Sequence, residues 1–337
     1  MSTNVNMHYD IEGADILQSK DKKFREYRSK WEEFPKKGVV DEFPLHLDIE
    51  VTSFCNLRCP FCTTTYTAKK IKNGYMIWDT AKRILDEAGQ FELYACKFNF
   101  RGEPLLHKEL GKIIQYAKKK GVMDVFFNTN GLLMDEDKSE MLIDSGLDRL
   151  TLSFEGWNRE IYEKYRKGSD FQQVVSNIDR LRKIRDRRGS ETPKIRVQGV
   201  LVPEMKEDLK SYVAFWKDKA DQVSYNEMLD NVPGNVPPVV SDWVCPMPYQ
   251  RMMVMWDGTI TTCYNDHFGK NQVGHIEDTS LHDCWKKSLA RIRDIHKKGL
   301  AHELSACREC PFRWMHTRLD SGSPLRCVRN DGRGSGV

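Results

Sequence analysis

No stretch of the 337 residues approaches the ~20 consecutive apolar residues that crossing a bilayer requires. Residues Met1 to Asp21 are polar and lack the apolar centre of a secretory signal. A cytoplasmic location and no membrane partner are therefore expected. An excess of charge is also missing: 53 Lys and Arg stand against 49 Asp and Glu, a formal net charge of +4. Nucleic-acid binding, which calls for basic residues clustered on one face, is not expected. The basic runs Lys118-Lys119-Lys120 and Arg185 to Arg188 read as solvated helix ends. With 39% hydrophobic and 10% aromatic residues, the chain is not disordered, and it is long enough for one large domain or two modest ones.

Cysteine, by contrast, is present ten times. Disulfides are rare in a reducing compartment, so grouped cysteines point to metal or redox chemistry. Seven of them fall into two groups, Cys55/Cys59/Cys62 and Cys245/Cys263/Cys307/Cys310. Cys96 and Cys284 read as packing residues, and Cys327 stands alone.

Along the chain, residues 1–43 are polar and helix-prone, with Phe24, Tyr27 and Trp31 at helical spacing, and read as a lid or brace. Strand and helix patterns then alternate. Strands are expected at Leu45 to Val51, Lys97 to Phe100, Val125 to Asn128, Arg149 to Phe154, Ile195 to Val202 and Gln222 to Glu227. Helices are expected at 79–91 (capped by Asp79), 108–120, 139–145, 171–187 and 209–216. Six strand–helix units in series imply parallel strands with right-handed crossovers, too few to close an eight-stranded barrel. The expected fold is α/β, a partial (β/α)6 barrel over residues 44–230. A Pro-rich segment at 231–240 reads as a linker to a small C-terminal hairpin-and-helix domain at 241–337, with an Asp257-Gly258 turn and a helix at 281–296. In such folds chemistry gathers after the C-terminal ends of the strands, where Cys55, Glu103, Asn130 and Glu155 all fall.

Three thiols within Cys55-Asn-Leu-Arg-Cys59-Pro-Phe-Cys62 can hold three irons of a [4Fe–4S] cluster and leave the fourth open to substrate. A zinc knuckle is the competing reading, but the nearest later histidine, His107, ends another strand. The second group would complete a fully ligated cluster or a closed zinc site; spacing alone leaves both open.

C-x3-C-x-Φ-C after a first strand resembles the signature of the radical S-adenosylmethionine (SAM) superfamily. Arg101-Gly102-Glu103-Pro104 is similar to the family's GGEP motif, with Arg in place of the first Gly. The resemblance, which covers about Leu45 to Glu227, implies that Gly102, Glu103 and Pro104 contact the SAM amino group. It implies too that Phe61 and Val200 pack near adenine, and that Asn128, Asn130, Ser153 and Glu155 meet ribose and carboxylate. Arg166 would neutralise the SAM carboxylate. C-x17-C followed by C-x2-C resembles the Twitch and SPASM auxiliary domains. A full SPASM domain has seven cysteines, and here only Cys327 follows Cys310, so one auxiliary cluster is expected.

The implied chemistry is reductive cleavage of SAM, then abstraction of a substrate hydrogen atom by the 5′-deoxyadenosyl radical. A two-electron oxidation of a small polar substrate such as a sugar, aminocyclitol or sugar nucleotide is expected. A peptide maturase, a radical epimerase and a non-catalytic metal scaffold are the alternatives. Cys327, Arg251, Glu227 and His267 are candidate substrate-side residues, and a flavodoxin or ferredoxin is the expected electron donor.

Overall fold

A computed structural model of the protein describes residues 8–13, 16, 21–67, 70–228, 244–310 and 312–313. The expected linker at 231–240 and Cys327 lie outside the described residues. Ten strands form one sheet: β1 (His8–Gly13), β2 (His46–Ile49), β3 (Ala95–Lys97), β4 (Asp124–Thr129), β5 (Arg149–Ser153), β6 (Lys194–Val200), β7 (Gln222–Asn226), β8 (Arg251–Val254), β9 (Thr259–Thr261) and β10 (Gln272–His275). Their spatial order is β1-β7-β6-β5-β4-β3-β2-β8-β9-β10.

Strands β2 to β7 run parallel in sequence order, as the alternating pattern implies. The sheet does not close, so the barrel is partial. Two features depart from the sequence expectation. β1, within the segment that reads as a helical lid, pairs antiparallel with β7 at one edge. At the other edge β8 pairs parallel with β2, so the C-terminal hairpin continues the main sheet.

Local signals place most helices within a few residues. At Trp78–Gln90 the N-cap is Ile77, without a side-chain bond, and Asp79 lies in the first turn rather than capping it. The strand expected at Lys97 to Phe100 shifts to Ala95–Lys97, because Phe98 to Phe100 already turn toward the GEP loop. The C-terminal helix is interrupted: Cys284–Ser288 is a π-type turn between Leu281–Asp283 and Leu289–Lys297.

Period-two alternation gives each strand two different faces. Leu47, Ile49, Cys96, Val125, Phe127, Leu150, Leu152, Ile195 and Val197 are fully buried in the core beneath the helices. The opposite residues of the same strands line the barrel lumen and are largely polar. Helix α1 (Lys22–Lys37) closes the floor. Asp21 caps it by accepting from the backbone N–H groups of Lys23 and Phe24, and its Phe24, Tyr27 and Trp31 pack on Leu45 and Ala95 at the strand starts.

Above that floor lies a layer of buried ion pairs. Arg149 donates to both oxygens of Asp124, at 2.8 and 2.6 Å. Asp48 accepts from Arg251 at 3.2 Å and lies 3.3 Å from the His46 imidazole. Arg149→Ala strands a buried carboxylate and is expected to lower unfolding free energy by about 3–5 kcal/mol in urea titration. Adding Asp124→Ala should recover part of that loss; a double variant as unstable as the single one contradicts the pairing.

Candidate functional site: a thiol loop and a polar lumen

Cys55, Cys59 and Cys62 lie in the loop that leaves β2 at the C-terminal rim of the barrel. The loop is tied down through its backbone. Cys62 N–H donates to the Cys59 carbonyl at 3.1 Å, Thr65 Oγ1 donates to the same oxygen at 2.9 Å, and Arg58 N–H donates to Lys167 O at 2.9 Å. None of the three cysteines is in a disulfide. Burial pushes Cys55 up to about 11 and raises Cys59, which the neighbouring Arg166 cation pulls back down. His107 is not a fourth ligand. Its Nε2 lies 2.8 Å from Met76 O, and its Nδ1 accepts from Glu109 N–H, so both ring nitrogens are used.

The GEP turn packs directly on this loop. A Cβ at Gly102 would lie 2.2 Å from Thr52 O and 2.6 Å from Phe54 O, so only glycine fits. Glu103 N–H donates to Phe54 O at 2.8 Å. The Glu103 carboxylate is buried and accepts from Thr129 Oγ1 at 2.7 Å, Asn130 N–H at 2.8 Å and Leu105 N–H at 3.1 Å. Burial raises its pKa, and those hydrogen bonds oppose the rise. Pro104 opens a short 3-10 turn. Asn130 donates to Asn56 Oδ1 at 2.8 Å, joining the β4 end to the cysteine loop.

Arg101, which departs from the family motif, has a structural partner. Its Nε and Nη2 donate to Glu50 at 2.7 and 2.6 Å, and its Nη1 donates to His267 O at 3.0 Å.

Glu155 and Arg166, expected to make separate ligand contacts, are brought together. Arg166 Nε and Nη2 donate to Glu155 at 2.5 and 2.8 Å, and Val200 N–H donates to Glu155 Oε1 at 3.1 Å. Like the Glu103 carboxylate, the Glu155 carboxylate thus accepts three protein hydrogen bonds. Its effect is to aim Arg166, whose Nη1 lies 3.8 Å from Cys59 Sγ and whose guanidinium lies 5.5 Å from the Phe61 ring centre. Asn128 and Ser153 face the lumen at the ends of β4 and β5, and Val200 does so at the end of β6, all half-buried.

Cys245, Cys263 and Cys310 cluster beside the β8–β9 hairpin with Met247, Tyr264 and Phe312, and Cys307 is an electrostatic neighbour of all three thiols. Burial pushes Cys263 up to about 12, and the neighbouring Cys310 and Asp266 add to the rise. Among the described residues, no three His, Cys, Asp or Glu side chains converge tightly enough for one metal ion. Three donors that sequence reasoning missed point at these sulfurs. Asn265 Nδ2 lies 3.2 Å from Cys310 Sγ, and Asn271 Nδ2 lies 3.4 Å from Cys307 Sγ. His296, kept neutral by burial with a pKa of about 4, places Nε2 3.6 Å from Cys307 Sγ.

The substrate-side candidates divide. Arg251 begins β8 at the floor, bound to Asp48, with its guanidinium 4.7 Å from the Trp31 ring centre and 5.3 Å from that of Tyr264, which packs beside the second thiol group. His267 lies at the rim, stacked on Phe100 at 5.2 Å, and burial lowers it to about 4. Glu227 follows the end of β7 at the same rim. Cys96 and Cys284 are buried in the core, as expected of packing residues.

Comparison with known proteins agrees with this geometry. The Radical SAM superfamily description matches residues 49–210, and the SPASM iron–sulfur cluster-binding domain matches residues 245–311. The chain belongs to the radical SAM superfamily. It is a radical SAM enzyme with a C-terminal SPASM-type domain, and its cofactors are SAM, a [4Fe–4S] cluster and auxiliary iron–sulfur. A probable GTP 3′,8-cyclase of Methanocaldococcus jannaschii is 33% identical over 132 residues, 39% of this chain and 43% of that protein. The chain thus spans under half the length of such cyclases. A Pyrococcus furiosus tungsten-containing aldehyde ferredoxin oxidoreductase cofactor-modifying protein is 24% identical over 322 residues, 80% of this chain and 87% of that protein. Among solved structures, Streptococcus suis SuiB bound to SAM superposes with a TM-score of 0.60 at 15% identity, covering 86% of this chain and 76% of its own. BtrN in complex with AdoMet and 2-DOIA does so at 0.52 and 19%, covering 80% and 93%. At these identities the two structures support the fold alone.

Because Cys55 and Cys263 are held as thiols at neutral pH, loading iron must release protons. In anaerobic reconstitution at limiting iron, uptake is expected to be greater at about pH 8.5 than at about pH 6.5. Uptake that is flat or falls with pH contradicts protonated thiols at Cys55 and Cys263.

Proposed function

We propose that this radical SAM enzyme performs a two-electron oxidation of a small polar substrate, of the class of a sugar, an aminocyclitol or a sugar nucleotide. Cys55, Cys59 and Cys62 would hold the SAM-binding cluster, and Cys245, Cys263, Cys307 and Cys310 one auxiliary cluster. When bound, these groups supply an electron for cleaving SAM and an acceptor for the substrate's second electron. The protein's own contribution is positioning. Glu103 offers a buried carboxylate to the SAM amino group, and Arg166, held by Glu155, offers Nη1 to its carboxylate beside Cys59. Phe61 borders the same space. The rim is shielded by the Arg101–His267 contact, which keeps the loop after β9 over the GEP turn.

The observation that carries the substrate class is the polarity of the lumen face that is not fully buried. Its half-buried side chains are Lys97, Phe126, Asn128, Ser153, Gln198 and Val200. Four of these six are polar, which suits a small hydrogen-bonding molecule better than an apolar one. The GTP 3′,8-cyclases, named for a nucleotide, support the same class. The described residues include no helix long and apolar enough to cross a membrane. The proposed location is the cytoplasm, whose reducing conditions keep both cysteine groups available to iron. Reduction would come from a flavodoxin or ferredoxin, whose usual acidity suits a chain of net charge +4.

Protein reconstituted without oxygen is expected to hold about eight irons per chain and, under dithionite, to form 5′-deoxyadenosine from SAM. With Cys55, Cys59 and Cys62 changed to Ala, about four irons should remain and product should vanish. Product without iron at the second group would remove the electron-acceptor role. No iron and no product would leave a metal-free scaffold and end the radical reading.

A further inference from the structure

We propose that Lys97 anchors an anionic group, a phosphate or a carboxylate, of the molecule that enters the lumen. This rests on the reading of the protein as an enzyme that takes a small substrate there.

Lys97 is the last residue of β3, opposite Asp48 on β2 and Phe126 on β4. Its neighbour Cys96 is buried in the helix-side core, so by strand alternation Lys97 faces the lumen, where it is half-buried. Its electrostatic environment is that of the lumen: Asp48, Arg251 and Arg149. Among the described residues, each arginine that faces this part of the lumen has an acid or amide partner, although the Nε of Arg251 is left without one. Arg101 is held by Glu50, Arg149 by Asp124 and Arg251 by Asp48, while Arg196 donates to Gln222 at 2.6 Å and lies 3.8 Å from Asp10.

Asp48 is the carboxylate across the register from Lys97, but its two oxygens are already occupied, one beside His46 and one by Arg251. Among the described residues the Lys97 ammonium makes no hydrogen bond and no ion pair; only its backbone is bonded, in the sheet. An ammonium with three donors and no acceptor, in a low-dielectric lumen, is a cost to folding. Burial lowers the Lys97 pKa, in keeping with that cost. An anionic group of a ligand would supply both the missing acceptor and the missing charge. A side chain kept at a cost to stability marks a binding role better than a structural one.

The test is chemical footprinting of the reconstituted full chain with SAM bound. Reductive methylation at Lys97 is read by peptide mass spectrometry in inorganic phosphate, in acetate, or in chloride at matched ionic strength. Saturable protection is expected, about tenfold when the anion is at ten times its dissociation constant, with surface lysines unaffected. Protection by phosphate alone assigns a phosphorylated substrate, and protection by acetate alone a carboxylated one. Lys97→Met should retain wild-type iron content and unfold at no lower temperature, because it removes an unmatched buried charge. Anions should raise the unfolding midpoint of wild type and Lys97→Arg but not of Lys97→Met. No protection by either anion, or a Lys97→Met protein less stable than wild type without any anion effect, overturns the proposal. Formation of 5′-deoxyadenosine by the same wild-type preparation separates the two readings. Product without protection defeats the anion site alone, and protection without product defeats the radical reading alone.

Discussion

The buried pair of Glu50 and Arg101 ties together three parts of the site. Glu50 immediately follows β2, on the segment that leads into the loop carrying Cys55, Cys59 and Cys62. Arg101 precedes the Gly102-Glu103 turn. The pair is bidentate, Glu50 also accepts from Trp256 N–H at 3.3 Å, and Arg101 reaches on to His267 O. One ion pair therefore fixes the cysteine loop, the turn that presents Glu103 and the loop after β9. Both partners are buried, so losing either would leave an uncompensated charge, a cost of about 3–5 kcal/mol. The replacement of the motif's first glycine by Arg101 thus serves to clamp the C-terminal hairpin to the rim of the cysteine loop.

The barrel separates stability from chemistry by height. At the floor, Trp31 and Tyr27 from α1 seal the strand starts, and Arg149–Asp124 and Arg251–Asp48 neutralise each other. At the rim, polar groups are paired with one another in ways that leave specific atoms aimed inward. Glu155 fixes Arg166 and leaves Nη1 beside Cys59 Sγ. Backbone amides and Thr129 hold Glu103 in place. Cys245 and Cys263 flank the β8–β9 hairpin, whose β8 pairs with β2 of the same sheet, so sheet hydrogen bonds fix the hairpin that carries these two thiols to the strand that leads into the first loop.

Much of this is legible in sequence because local rules carry it. The β2-to-β7 series follows from apolar runs separated by helical periods, and both cysteine groups follow from spacing. What escapes a local reading depends on partners remote in the chain. β1 is a short polar strand whose sheet partner is β7, with His8 opposite Asn226, so no local pattern identifies it. Asp79 has the chemistry of a cap, but the helix starts earlier, at Trp78. Glu155 and Arg166 each suit a ligand contact, and nothing in their spacing reveals that they meet each other. Arg251 reads as available beside Cys245, yet its partner Asp48 lies 203 residues earlier. The alternation of His46, Asp48 and Glu50 in LHLDIEV does signal a charged lumen face, and Lys97 belongs to that same face.

If Cys55, Cys59 and Cys62 hold iron with one site open for SAM, that iron must respond to SAM directly. Electron paramagnetic resonance of the dithionite-reduced protein, recorded with and without SAM, is the most direct test. Two [4Fe–4S]⁺ signals are expected, of which one shifts its g-values on adding SAM and is missing from the Cys55/Cys59/Cys62→Ala protein, while the other is unchanged. Signals that do not respond to SAM, or a SAM-sensitive signal that survives loss of these three cysteines, would contradict that ligation.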